Sequence, residues 1–193
     1  MHRSRSLLAL GVSIALLSYA SFAFAQGGDT TAKTEEKSAE EPNSVRPSKV
    51  EKKLPANEVV IIDKIDGWSF GEAPKGSLAM LRAVGDTTAM LEVRFTPDIA
   101  EKQVDSHFTS FHSSLKQMGL KEVSSKKRKM SEVFPEGLET EYSLTSSGKP
   151  YRLVVWQVYR KGSIWFVTAF FPEKARPNHY PEFETFVQTI TFK

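Results

Sequence analysis

Histidine and carboxylate are the residue types here that lend themselves to metal binding or acid–base work, and their spacing decides what they can do. His107 and His112 lie five apart on one amphipathic segment. At about 100° per residue they sit some 140° apart around a helix, so they cannot clasp one ion as a pair four apart would. They are expected as surface histidines. Glu139 and Glu141 fall in a polar strand, with no pattern that marks an acid–base pair. No G-x-S-x-G, G-x-G-x-x-G or phosphate-binding G-x-x-x-x-G-K is present, and no cysteine supplies a thiolate or disulfide. No cofactor is expected. The residues left as a partner surface are Arg176, His179 and Tyr180, in a loop after the strongest strands, and Lys127 and Lys129 in a basic run.

Whatever holds these residues must be assembled from the remaining chain. Residues 1–25 read as a secretory signal, with Arg3 and Arg5 ahead of an apolar run and Ala23-Phe24-Ala25 as the cleavage site near Ala25. The chain has 26 Lys and Arg against 23 Asp and Glu. Loss of the two leader arginines leaves 24 against 23, so a nucleic-acid partner loses its electrostatic basis. Residues 26–57 are rich in Lys, Glu, Ser, Thr and Pro, contain no aromatic residue and read as a flexible linker. Residues 58–193 form the folded domain.

The strongest structural signal is residues 151–172, a run of β-branched and aromatic residues broken at Lys161-Gly162. A two-residue turn there pairs Arg160 with Ser163, Val158 with Trp165 and Trp156 with Val167. Tyr159 with Ile164, Gln157 with Phe166 and Leu153 with Phe170 then line the other side. Both sides are apolar, so this hairpin belongs in the middle of a sheet covered on both faces. Residues 78–84 and 88–95 read as a second hairpin, and 120–130 and 137–145 as polar strands. The lysine-rich run 126–129 suits an exposed edge.

Two helices cover the faces. The first follows Thr96-Pro97-Asp98, with Asp98 and Glu101 as a capping pair. Its stripe of Val104, Phe108, Phe111, Leu115 and Met118 ends at Gly119. The second is capped by Asn178 and buries Phe183, Phe186, Val187 and Ile190. The expected fold is α+β: a central antiparallel sheet with helices on both faces, an α/β/α sandwich.

The order of elements resembles the PsbP-like family, which includes Mog/PsbP-type and DcrB-type domains. The likeness rests on Gly67-Trp68-Ser69-Phe70, on the long helix over residues 97–118 and on the ending W-F-V-T-A-F-F-P-E-K-A-R-P-N-H-Y-P-E-F-E-T-F-V-Q-T-I-T-F. It covers residues 58–193. The resemblance implies a non-enzymatic accessory or binding protein, here of the bacterial envelope, periplasmic or secreted. Its partner would be an envelope protein or a small ligand, with membrane association only through a partner. An alternative is a ligand carrier or enzyme with a pocket between the sheet and the long helix, near Trp68 or His107.

Overall fold

The computed structural model describes residues 47–193; the expected leader over residues 1–25 and most of the expected linker, residues 26–46, lie outside the described residues. A seven-stranded antiparallel sheet is built from β3 (Trp68–Phe70), β4 (Ser77–Ala83), β5 (Asp86–Thr96), β6 (Lys121–Arg128), β7 (Gly137–Ser146), β8 (Lys149–Arg160) and β9 (Ser163–Pro172). Their spatial order is β3-β4-β5-β9-β8-β7-β6. A smaller antiparallel sheet orders β1 (Lys49–Lys53), β2 (Val59–Asp63) and β10 (Ile190–Phe192) as β1-β2-β10. The helices are α1 (Val104–Gln117) and α2 (Arg176–Gln188).

The β8–β9 hairpin has the register its sequence dictates. Arg160 pairs with Ser163, Trp156 with Val167 and Leu153 with Phe170. Lys161 and Gly162 take left-handed φ values of 47° and 76°, the geometry of a tight turn whose twist matches the flanking strands. With that turn fixed, each side chain is committed to one face. Gln157 and Phe166 point to one layer, Trp156 and Trp165 to the other, and all four are buried.

Helix α1 covers the first of these faces. Phe111 stacks on Phe166 with ring centroids 4.3 Å apart, and Phe108 meets the same ring edge-on at 5.9 Å. The buried rings of Phe111 and Phe166 are each worth about 1.5–3 kcal/mol of removal from water, whereas Phe108 is half-buried. The helix starts at Val104, later than Thr96-Pro97-Asp98 implies. Asp98 has φ 58°, which a right-handed helix cannot accept, and the Ile99 amide donates to the Gly162 carbonyl at the hairpin tip. The Asp98–Glu101 capping pair does not form. Instead the Ala100 amide donates to Gln103 Oε1 at 3.3 Å.

The second face carries more than a helix. α2 and the small sheet share it, with Phe183, Phe186 and Val187 from the helix and Val60, Ile62 and Ile190 from the strands packed around Trp156 and Trp165. Residues 49–53 were expected in the linker, yet they form β1 and pair along their length with β2. Four of the five are exposed, so the strand is held by its backbone ladder, which composition does not reveal. Asn178 does not cap α2 either. The helix begins at Arg176 with Pro177 in its first turn, which places Asn178 inside.

Candidate functional site

Arg176, His179 and Tyr180 come from the first turns of α2 and reach back to the sheet, Arg176 with its side chain still partly exposed. β7 presents Glu139 and Glu141 to the same layer, two residues apart on one face of the strand. Both carboxylates are buried, at 2% and 6% exposure. Buried carboxylates need partners, and the chain supplies them. Arg176 donates from Nε and Nη2 to the two oxygens of Glu141, both at 2.9 Å. Tyr180 donates its hydroxyl to Glu139 at 2.9 Å, and Arg128 and Lys126 reach Glu139 at 3.2 Å. Arg128 also pairs with Glu184 on α2 at 2.8 Å, and Arg152 with Glu173 at 2.7 Å. The Arg176 guanidinium lies over the Tyr180 ring, 4.7 Å from its centroid.

These contacts set the chemistry of the cluster. Burial, then the facing Glu139 carboxylate, pushes the Tyr180 hydroxyl well above its ordinary value, so it stays a donor. The bidentate bond to Glu141 holds Arg176 above the usual arginine value. The cluster is therefore a set of locked ions that fastens α2 to β6 and β7.

His179 serves a second tie. Its Nδ1 lies 2.6 Å from Glu182 Oε2, its Nε2 lies 3.4 Å from Asp86 Oδ2, and its ring meets Trp68 edge-on at 5.4 Å. The Trp68 indole donates to the same Glu182 oxygen at 3.1 Å. Burial acts to raise the Asp86 carboxyl, but the Thr88 hydroxyl and amide, with His179, hold it below its ordinary value. Of the five residues expected as a partner surface, only Lys127 and Lys129 stand exposed. Both lie on or next to β6, an edge of the large sheet as its lysines implied, and Lys129 pairs with Glu132 at 2.7 Å.

The two helical histidines part as their spacing requires. His107 is exposed, whereas His112 faces the sheet, where its Nδ1 bonds the hydroxyl of the fully buried Tyr142. The reading of both as surface histidines fails for His112. Desolvation lowers its pKa, against an opposing contribution from Gln157. The alternation of β7 held the missing signal, since Tyr142 is an inward residue beneath α1. A second unforeseen pair is Glu58 with Arg160, bonded at 2.6 and 2.8 Å. It joins the start of β2 to the end of β8.

The pocket expected between sheet and α1 is filled by Phe111 on Phe166, and Trp68 is a core residue at 2% exposure. Clefts occur elsewhere. One of about 550 Å³ is lined by Asp86, Thr88, Lys149, Tyr151 and Lys174. Another of about 490 Å³ lies between the tip of the β8–β9 hairpin, the β5–α1 connection and the turn after β1. Among the described residues no three His, Asp or Glu are grouped to hold a metal ion, and no helix is long and apolar enough to cross a membrane.

No family model matches the chain, and no curated protein matches it in sequence. Solved structures do match its shape. LpqN of Mycobacterium tuberculosis, described as involved in cell envelope biogenesis, superposes with a TM-score of 0.54 at 12% identity, covering 72% of this chain and 86% of its own. The cyanobacterial PsbP protein CyanoP of Synechocystis gives 0.50 at 10% identity, covering 79% and 98%. A protein of Bacteroides thetaiotaomicron gives 0.51 at 12% identity over 76% of this chain, which spans about half, 49%, of that longer one. At such identities the likeness speaks for the fold alone, and that fold, an antiparallel sheet with helices on both faces, is the PsbP-like one.

Proposed function

We propose that the chain is an exported accessory module that binds a partner in the bacterial cell envelope and catalyses no reaction of its own. The observation that carries this reading is the fate of the charged side chains. Glu139, Glu141, Arg128, Arg176 and Tyr180 are spent on one another, holding α2 to the sheet. Among the outward-facing elements is an edge strand, β6, with Lys121 and Lys127 exposed along it. An exposed basic edge suits a contact with an acidic protein surface. The leader in residues 1–25 supports export, and the PsbP-like fold fits an accessory role.

The test is affinity capture from envelope extract, run in parallel with the variant Lys127→Glu/Lys129→Glu. A partner retained by the parent and lost by the variant at unchanged fold supports the reading. A hydrolytic activity with no partner recovered overturns it. Capture that ignores the charge reversal removes β6 as the contact.

A further inference from the structure

Three connections meet at one end of the large sheet: the β4–β5 turn at Gly85, the turn into β8 at Lys149 and the exit of β9 at Pro172. They border the cleft of about 550 Å³, a volume within the roughly 300–1,000 Å³ of small-molecule sites. Its base is rigid, because Tyr151 of β8 pairs across the ladder with Pro172 of β9, and the Tyr151 ring stacks on Phe170 with centroids 5.1 Å apart. The polar side chains of the wall divide into committed and free ones. Asp86 is committed: the Thr88 amide and hydroxyl both donate to its Oδ1, at 3.0 and 2.6 Å, and its Oδ2 faces His179 Nε2 at 3.4 Å. The same two bonds engage both donors of Thr88.

The free ones are all of one kind. Lys149 and Lys174 are exposed and have no ionic partner among the described residues, and the Tyr151 hydroxyl has no hydrogen bond among them. Glu173, the acid next to Lys174, is taken by Arg152 at 2.7 Å. Every uncommitted polar side chain at the wall is therefore a donor, and both lysines are cations. An ammonium on a flexible four-carbon stem changes direction without any movement of the backbone, so each lysine reaches into the cleft that it lines. The Asp86 carboxylate opposes an anion there, but it is shared among Thr88 and His179, whereas the two ammonium groups are unshared. Pro150, Pro172 and the Tyr151 ring supply apolar surface beside them. Two cations next to a patch of ring surface match a dianion joined to a small flat body. We infer that this cleft binds a small phosphomonoester, its phosphoryl oxygens held by Lys149 and Lys174 and its apolar part laid against Pro150 and Tyr151. The site lies at the ends of β5, β9 and β8, away from the β6 edge, and stands whether or not that edge holds a partner.

The experiment follows the backbone amide signals of the ¹⁵N-labelled full chain during titration with phenyl phosphate, inorganic phosphate and benzyl alcohol. Saturable shifts are expected at Gly85, Thr88 and Lys174 with phenyl phosphate, while Gly119 and Lys127 stay. Inorganic phosphate lacks the apolar body and is expected to bind about threefold or more weaker; benzyl alcohol lacks the charge and is expected to bind about tenfold or more weaker. The double variant Lys149→Gln/Lys174→Gln should weaken phenyl phosphate about tenfold, whereas Lys127→Gln should leave it unchanged. If the double variant does not fold, the parent titrations decide the matter alone. A free ester and a phosphatidate headgroup present the same chemistry, and sedimentation with phosphatidylcholine vesicles, with and without phosphatidate, separates them. Retention that depends on phosphatidate names the lipid as the source; otherwise the source is the soluble ester. No saturable shift with phenyl phosphate, equal affinity for either of the other probes, unchanged affinity in the double variant, or an equal loss in Lys127→Gln overturns the inference.

Discussion

Arg176 and Glu141 meet fork to fork: Nε and Nη2 of the guanidinium each take a different carboxylate oxygen at 2.9 Å. The carboxylate is buried and the arginine sits at the start of α2, so this pair fixes where the helix lands on the sheet. Replacing Arg176 with Met leaves Glu141 facing only Arg152, whose Nε is 3.7 Å away. A buried charge stripped of its main partner costs more than the pair contributes, here about 2 kcal/mol because Arg176 is itself partly exposed. The expected result is a lower urea midpoint at unchanged slope. Arg176→Lys should rescue little, since an ammonium cannot span two oxygens. Full stability in either variant would show that the pair does not fasten the helix.

Acid should release the other clamp. Bonds from Arg160, reinforced by Lys161, hold the Glu58 carboxyl down to about 2 against an ordinary value of 4.5, despite a smaller opposing push from burial. A folded-state pKa below the unfolded one stabilises the protein above the unfolded value, and that stability is lost as pH falls through the folded value. The loss therefore falls between about pH 4.5 and 2. Solvent screening limits it to roughly 1 kcal/mol. Glu58→Gln should remove this part of the acid dependence. Denaturant titrations at stepped pH check it, and an identical profile for parent and variant would dismiss the clamp.

How much of this was legible in advance follows from which interactions are local. The β8–β9 hairpin was, because Lys161-Gly162 fixes the turn and alternation then assigns each residue a face. Helix α1 was legible in its stripe but not in its start, because the Asp98 backbone is set by a tie to the hairpin tip at Gly162. β1 left almost no signal, having one half-buried side chain and a ladder of backbone bonds. The loop expected to face a partner turned inward for a related reason. Arg176 and Tyr180 look like surface residues until β7 is placed beside them, with their acids 35 and 41 residues away in sequence, whereas His179 is tied both to Glu182 three residues on and to Asp86, 93 residues away.

His112 gives a dependence nearer neutrality. Burial lowers its pKa below the ordinary 6.5, so the folded state resists a proton that the unfolded chain accepts. Stability is complete above 6.5 and declines as pH falls below it. Lys116, Glu122, Tyr142 and Gln157 are the polar groups around the ring. His112→Asn is expected to flatten the slope between about pH 7 and 5, where an unperturbed imidazole titrates. The hydroxyl of Tyr142 would lose its ring-nitrogen partner at the same time, at a pH-independent cost of about 1 kcal/mol. A variant that keeps the parental slope would place the titrating group elsewhere.

Gly137 shows how tightly β7 is seated. A Cβ at this position would lie 2.6 Å from the Gln157 carbonyl oxygen, 2.6 Å from Trp156 Nε1 and 2.8 Å from its ring carbon. None of these neighbours can retreat easily. The carbonyl belongs to the central strand β8, and the Trp156 indole is held by the Arg128 carbonyl and by Phe134 edge-on at 5.4 Å. Gly148 provides the contrast: its φ of 73° strains any side chain, but a Cβ there meets nothing. Gly137→Ala should cost about 2–4 kcal/mol as an overpacking change, against about 1 kcal/mol for Gly148→Ala. Thermal unfolding of the two variants checks the order. If Gly148→Ala proves the more damaging, β7 has room to shift, and the buried placement of Glu139 and Glu141 behind it would have to be given up.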